Sequence, residues 1–141
     1  MTASLMKDIG TIARCAALYR DGRLEGTGLG GYQAPYVLAV CRAPGLTQDQ
    51  IAQQLHVNRS SVTRQLALLE EAGFIERRRS GADRRAMEVC PTGRMQQVLP
   101  VVQGVLADWQ AALTEALTQE ELQALEGLLG RLAARAEAMV E

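Results

Sequence analysis

Residues 45–75 read GLTQDQIAQQLHVNRSSVTRQLALLEEAGFI, and this stretch decides the fold. Thr47-Gln48-Asp49-Gln50 has the form of a capping box, in which the threonine hydroxyl accepts from the backbone N–H three residues on and Gln50 reaches back. The helix it opens carries Ile51, Ala52 and Leu55 inward and ends near His56. After Val57, Asn58 supplies a second N-cap, and a longer helix is expected over 59–72 with Val62, Leu66 and Leu69 on its buried face. Gly73 is the natural residue to end it. Two short helices across a tight turn, the second with a polar leading end, make a helix-turn-helix.

Working outward, residues 74–79 predict a strand, 80–83 a turn and 84–90 a returning strand with Met87 and Val89 on one face. That hairpin is a wing. Upstream, Leu5, Ile9, Ile12, Ala16 and Tyr19 recur at steps of three and four, which predicts a helix over 4–24. It runs into the glycine-rich residues 26–31, read as a connector because no strand precedes them to build a phosphate-cradling loop. A short helix over 33–41 stops before Pro44-Gly45. Downstream, Pro91-Thr92-Gly93 starts a long helical region with Val98, Val101, Val102, Val105, Trp109, Leu113 and Leu117 at helical spacing. Pro100 lies inside it and is expected to bend it. Thr118-Gln119-Glu120-Glu121 is a second capping box, and Leu122, Leu125, Leu128, Leu129, Leu132, Ala136 and Met139 stripe the last helix.

The expected fold class is mainly α with a small β-hairpin wing, a winged helix-turn-helix of about six helices whose terminal helices form a dimerisation region. The whole chain, 1–141, reads as one domain, with 32–97 as the winged lobe and 1–28 and 98–141 as dimerisation helices. A lone winged helix cannot cover the apolar stripes of those terminal helices, so a second copy of the chain is the economical burial partner.

Composition narrows the function classes. The chain is 48% hydrophobic but only 4% aromatic, so a core of real size must be built from Leu, Ala, Val and Ile. No apolar stretch reaches the roughly 20 residues of a spanning helix. Lys7, Asp8 and Arg14 interrupt the place where an export signal would need an apolar run, so the expected site is the cytoplasm, away from membranes. Cys15, Cys41 and Cys90 are far apart with no C-x-x-C pair, and His56 is the sole histidine. Neither a metal site, a cofactor nor an enzyme follows from these.

Charge is unevenly placed. The net charge is −1, yet from Arg59 to Arg85 seven arginines face four acids, while from Gly104 to Glu141 seven acids face two arginines. The basic run falls on the two elements that a winged helix turns toward DNA, and fourteen of the fifteen basic residues are Arg, whose planar fork binds phosphate or guanine at two points. The expected partner is double-stranded DNA. Arg59, Ser60, Ser61, Thr63 and Arg64, at the leading end of the second helix, are the base-reading candidates. Asn58 caps rather than reads. Thr47 and Gln48 are placed to touch phosphate at a helix N-terminus. Arg77, Arg78, Arg79, Arg84 and Arg85 should enter or flank the minor groove, and Asp83 should shape the wing turn or orient an arginine.

The stretch Gly45-Leu46-Thr47…Ile51-Ala52…Leu55-His56-Val57-Asn58-Arg59-Ser60-Ser61-Val62-Thr63-Arg64…Leu66…Leu69-Glu70…Ala72-Gly73-Phe74-Ile75, followed by Asp83-Arg84-Arg85…Val89-Cys90-Pro91-Thr92-Gly93, closely resembles the MarR family of multiple-antibiotic-resistance regulators. One departure is that Cys90-Pro91-Thr92-Gly93 stands where the family has a Leu-Thr-x-x-Gly type helix start. The resemblance implies a homodimer on a pseudo-palindromic operator, repression as the default, Arg85 as the minor-groove finger and Asp83 as its wing partner. It also implies a small, often phenolic or otherwise amphipathic effector, for which Tyr19, Tyr32, Tyr36 and Trp109 are the candidate lining residues. The Cys15 to Tyr19 spacing is similar to the peroxide-reactive segment of the family's organic-hydroperoxide branch, which leaves a redox-sensing regulator as the alternative. A helical interaction module without DNA binding is the remote one.

Overall fold

Each predicted helix forms, and Thr47, Asn58 and Thr118 open theirs as expected, whereas the helix after Pro91 ends at Leu113, short of Leu117. The order is α1 (Ala3–Arg23), a single 3-10 turn (Gly31–Gln33), α2 (Ala34–Arg42), β1 (Leu46–Thr47), α3 (Gln48–Leu55), α4 (Arg59–Glu71), β2 (Ile75–Arg79), β3 (Met87–Pro91), α5 (Gly93–Leu113) and α6 (Gln119–Val140). The computed structural model describes residues 3–81 and 85–141, so Asp83 and Arg84 lie outside the described residues.

At the start of α3 the Thr47 hydroxyl accepts from the Gln50 N–H at 3.2 Å, and the Gln50 side chain accepts from the Thr47 N–H at 2.9 Å. His56 ends this helix in the left-handed region at φ 54°, and Val57 N–H turns back to the Ala52 carbonyl at 3.1 Å. The sole histidine therefore makes the tight turn of the motif. Asn58 caps α4 by accepting from the Ser61 N–H at 2.8 Å. At the other end Gly73, at φ 84°, donates to the Glu70 carbonyl at 3.0 Å and Phe74 donates to Leu69 at 2.9 Å. These are the two paired bonds of a Schellman motif. Thr92 starts α5, its hydroxyl accepting from the Met95 N–H at 3.3 Å while donating to the Gly73 carbonyl at 2.7 Å. The departure from the family pattern thus keeps its helix start.

The wing hairpin pairs Arg77 with Val89 and Arg79 with Met87, and Ser80 N–H to the Ala86 carbonyl at 2.9 Å lies beyond its last pair. The returning strand begins at Met87, later than the expected 84. A third strand, β1, was not expected: it lies on the far edge of β3 in the order β1-β3-β2, with Leu46 opposite Val89 and Thr47 opposite Glu88. Two residues show no alternation for periodicity to detect. They become a strand because β3 offers an unpaired edge.

The core of this lobe joins Leu24, Val37, Val40, Ile51, Val62, Leu66, Leu69, Phe74, Val89, Met95 and Val102, with Phe74 and Tyr36 its only aromatics among the described residues. One glycine of the presumed connector is a close-packing residue instead. A Cβ on Gly31 would lie 2.2 Å from the Ala17 carbonyl oxygen and 2.7 Å from the Asp21 nitrogen, both backbone. Its N–H is held by Asp21 at 3.1 Å and its carbonyl by Arg20 Nε at 2.9 Å. Gly31→Ala is expected to lower stability in urea by about 1–3 kcal/mol, the ordinary range for overpacking. A loss within 0.3 kcal/mol, about the scatter of such measurements, would mean that α1 and the turn separate freely.

The described chain divides into two compact units, the first ending at Leu106 and the second being Ala107–Glu141. Pro100 lies inside α5, which continues through it. In the second unit, Thr118 accepts from Glu121 N–H at 3.1 Å and Glu121 returns a bond at 2.9 Å. None of the residues of α6 is buried, and Leu125, Leu128, Leu129 and Leu132 stand exposed on it. On α1, Ala16 and Ala17 are buried while Leu5 and Ile12 are exposed. No helix among the described residues is long and apolar enough to cross a membrane.

Candidate nucleic-acid interface

The leading end of α4, the start of α3 and the base of the wing form one polar edge. Arg59 lies 3.3 Å from Asp49, both largely exposed. An exposed pair of this kind contributes little and exchanges readily for a phosphate. Gln48 Nε2 donates to the Thr63 hydroxyl oxygen at 3.0 Å, which joins the first residue of α3 to the first turns of α4. A groove of about 270 Å³ runs alongside, lined by Thr47, Gln48, Asp49, Arg85, Ala86 and Met87. Arg85 therefore stands beside the α3 N-terminus, where helix dipole and unpaired N–H groups already favour an anion.

Among the base-reading candidates, Arg59, Ser60, Thr63 and Arg64 are exposed and Ser61 is half-buried. Ser60 donates to Asn58 Oδ1 at 2.8 Å, so the oxygen of the cap side chain is doubly engaged and not available to read bases. Thr47 spends its oxygen on the cap yet keeps its hydroxyl hydrogen for an acceptor outside.

The arginines of the wing divide by strand alternation. Arg77 points back toward the helices, where Glu70 holds it at 2.8 Å and Gln48 Oε1 accepts from it at 3.0 Å. The hydrogen bond from Arg77 holds the Glu70 carboxyl below the ordinary glutamate value and raises the arginine in turn. A carboxyl lowered by folding stabilises the fold above its unfolded value of about 4.3 and ceases to do so as the pH falls through the depressed one. Arg78 lies on the opposite face and is paired with Glu76. Arg79 and Arg85 are exposed.

Of the four candidate lining residues, the structure brings Tyr32 and Tyr36 together in a cavity of about 500 Å³, completed by Pro35, Leu55, Val57, Ser61, Arg64 and Gln65. Burial raises the Tyr36 hydroxyl above its usual value, and nearby Arg64 pulls it partly back. Tyr19 is elsewhere on α1 with the Arg23 guanidinium 4.8 Å from its ring centroid. Trp109 belongs to the second unit. Cys15 is exposed on α1, and burial raises the thiol of half-buried Cys41. Among the described residues no group of three His, Cys, Asp or Glu could hold a metal ion.

Two contributors escaped the sequence. Arg94 stacks on Phe74 at 4.3 Å and donates to the Ala72 carbonyl, tying the start of α5 to the end of α4. Glu70 is one of two adjacent acids in the chain, and the fold sets Arg77 against it. Neither has a local signature, because each partner lies seven or more residues away.

A sequence profile described as the MarR family matches residues 27–86. A crystal structure of MarR is 30% identical, with 96% of this chain and 92% of that one covered at a TM-score of 0.87. YybA of Bacillus subtilis, an HTH-type transcriptional regulator, is 23% identical over 91% of this chain and 85% of its own. A mutant MarR from E. coli complexed with operator DNA shares the fold at a TM-score of 0.83, with 22% identity over 92% of this chain and 93% of that one.

Proposed function

The chain belongs to the MarR family, and on that premise we propose that it is a DNA-binding transcriptional repressor, working as a homodimer and released by a small amphipathic ligand. One observation carries the reading: the N-terminal ends of α3 and α4 and the wing residue Arg85 share a single exposed polar edge. Arg59, Ser60, Ser61, Thr63 and Arg64 then meet base edges in the major groove, and Thr47 and Gln48 meet phosphate. Arg78, Arg79, Arg84 and Arg85 flank or enter the minor groove. That a relative of the same fold is complexed with operator DNA supports the DNA-binding reading.

The second copy of the chain covers the exposed leucines of α6 and the apolar residues of α1. The cavity beside Arg64 suits an anionic amphipathic ligand, its apolar body against Tyr32 and Tyr36 and its charge on the guanidinium. Such a ligand withdraws a base-reading arginine and biases the dimer toward the form that binds DNA less well.

Selection from a randomised duplex pool with the purified chain tests the reading. An inverted repeat with half-sites about 10 base pairs apart should emerge. Binding should fall steeply with salt. Sedimentation should give a dimer, and Leu128→Glu with Leu132→Glu should give a monomer that no longer binds the selected duplex. Failure to enrich any sequence would remove DNA recognition from the account.

A further inference from the structure

Arg77 belongs by sequence to the basic run of the wing, and by structure to a chain of hydrogen bonds that ends on the recognition helix. Glu70 Oε1 accepts from Arg77 Nη2 at 2.8 Å and from Nε at 3.3 Å. Arg77 Nη1 donates to Gln48 Oε1 at 3.0 Å, Gln48 Nε2 donates to Thr63 Oγ1 at 3.0 Å, and the Thr63 hydroxyl donates to the Arg59 carbonyl at 2.9 Å. Donation diverges from the Arg77 guanidinium, on one side to the Glu70 carboxylate and on the other through Gln48 and Thr63 to a helix carbonyl, and along this second arm every bond runs in the same sense. Chains ordered in this way polarise each link and fix the orientation of the groups within them.

We propose that Arg77 is a positioning and specificity-determining residue, which sets the hydrogen-bonding face that Gln48 and Thr63 present to DNA; this rests on the DNA-binding reading above. A free glutamine can turn its amide either way, and a neighbouring base-reading threonine would then meet an oxygen or an N–H without preference. Arg77 takes one of the two lone pairs of the Gln48 oxygen and Thr63 takes one of its two N–H groups, which fixes the way the amide faces. Thr63, having accepted from Gln48 and donated to Arg59, keeps only one lone pair and no hydrogen. The edge is thereby fixed in orientation, the Gln48 amide locked between Arg77 and Thr63 on α3 and a single acceptor left on α4. Arg77 itself, held by Glu70 and by Gln48, gives structure to the edge in place of a phosphate contact.

The test uses the full chain with two probes, the duplex that the wild type enriches from a randomised pool and an unrelated duplex of equal length. Arg77→Met is expected to lower binding to the enriched duplex about tenfold, the worth of one charge-assisted bond. Binding to the unrelated duplex and the slope of log affinity against log salt should stay as in the wild type. Reselection with the variant should show a relaxed or altered base at one pair of symmetric positions. A lost phosphate contact behaves differently, reducing the salt slope by about 0.9 and weakening both duplexes alike. That outcome, or no change on either duplex, overturns the proposal.

Glu70→Gln supplies a second variant that keeps the shape of the side chain and removes its charge. If Glu70 only neutralised an arginine that seeks phosphate, removing the acid would tighten binding to every duplex. The positioning role requires the reverse, weaker binding to the enriched duplex alone, and an effect that fails to add to that of Arg77→Met. Additive effects, or tighter binding throughout, count against it. Thermal melts of both variants identify loss of fold. Should the wild type enrich no sequence at all, the DNA reading and this inference fall together, whereas enrichment followed by parallel losses removes only the inference.

Discussion

Phe74→Ala is expected to cost about 3–5 kcal/mol, the range for deleting a fully buried aromatic. The side chain has no exposed surface and sits where three elements meet. Its own N–H closes the end of α4 on Leu69, its carbonyl accepts from Thr92 N–H at 3.0 Å ahead of α5, and β2 begins one residue later. The ring is also the platform for the Arg94 guanidinium, and a Cβ on Gly28 would lie 3.4 Å from it. Truncation leaves a cavity that rigid neighbours on three sides cannot close, and it removes the cation–π contact. Against a typical total of about 5–15 kcal/mol, such a loss is large enough to leave a measurable unfolded fraction. Urea unfolding at one fixed protein concentration gives the number, since association would otherwise shift it. Phe74→Leu, which fills most of the space, should lose less than about 1.5 kcal/mol. Equal losses for the two variants would mean that the ring's shape matters less than its position in the turn.

The second large effect is on binding. Arg64→Ala should weaken the enriched duplex about tenfold to a hundredfold, the worth of one two-point contact to a base pair. Stability should move by no more than about 0.5 kcal/mol, because the side chain is exposed. Sequence preference at one position should relax, which separates this arginine from one that touches only phosphate. Arg64→Lys should recover little, since an ammonium cannot bridge two acceptors in a plane. The same residue borders the cavity with Tyr32 and Tyr36, so the alanine variant should also lose its response to an anionic amphipathic ligand. An unchanged response in a variant that no longer reads sequence would place the ligand elsewhere.

What could be read from residues alone was local. Thr47 with Gln50, Asn58 with Ser61, Gly73 after α4 and Thr118 with Glu121 all bridge partners within a few residues, and each helix end they predict is present. The core positions Ile51, Val62, Leu66 and Leu69 follow from helical spacing in the same way. The strand β1 was missed because two residues carry no period. Gly31 looked like slack in a glycine-rich connector, whereas its missing side chain lets backbone approach backbone. The four aromatic candidates shared only their residue type, and the fold gathers just Tyr32 and Tyr36 into one cavity.

The sequence by itself determined the class of fold and the side of it that carries positive charge. Caps, turns and periodicity act over one or two helical turns, and the arginines that follow them are placed by the same count. Tertiary structure alone decided what each arginine does. Arg77, Arg78 and Arg79 are consecutive in the chain, yet a strand sends neighbours to opposite faces, so Arg77 meets Glu70 and Gln48 while Arg78 meets Glu76. Charge can be counted along a chain, but its use depends on which oppositely charged group lies within reach. That is settled by contacts between residues 7 and 29 positions apart, which only the folded chain brings together.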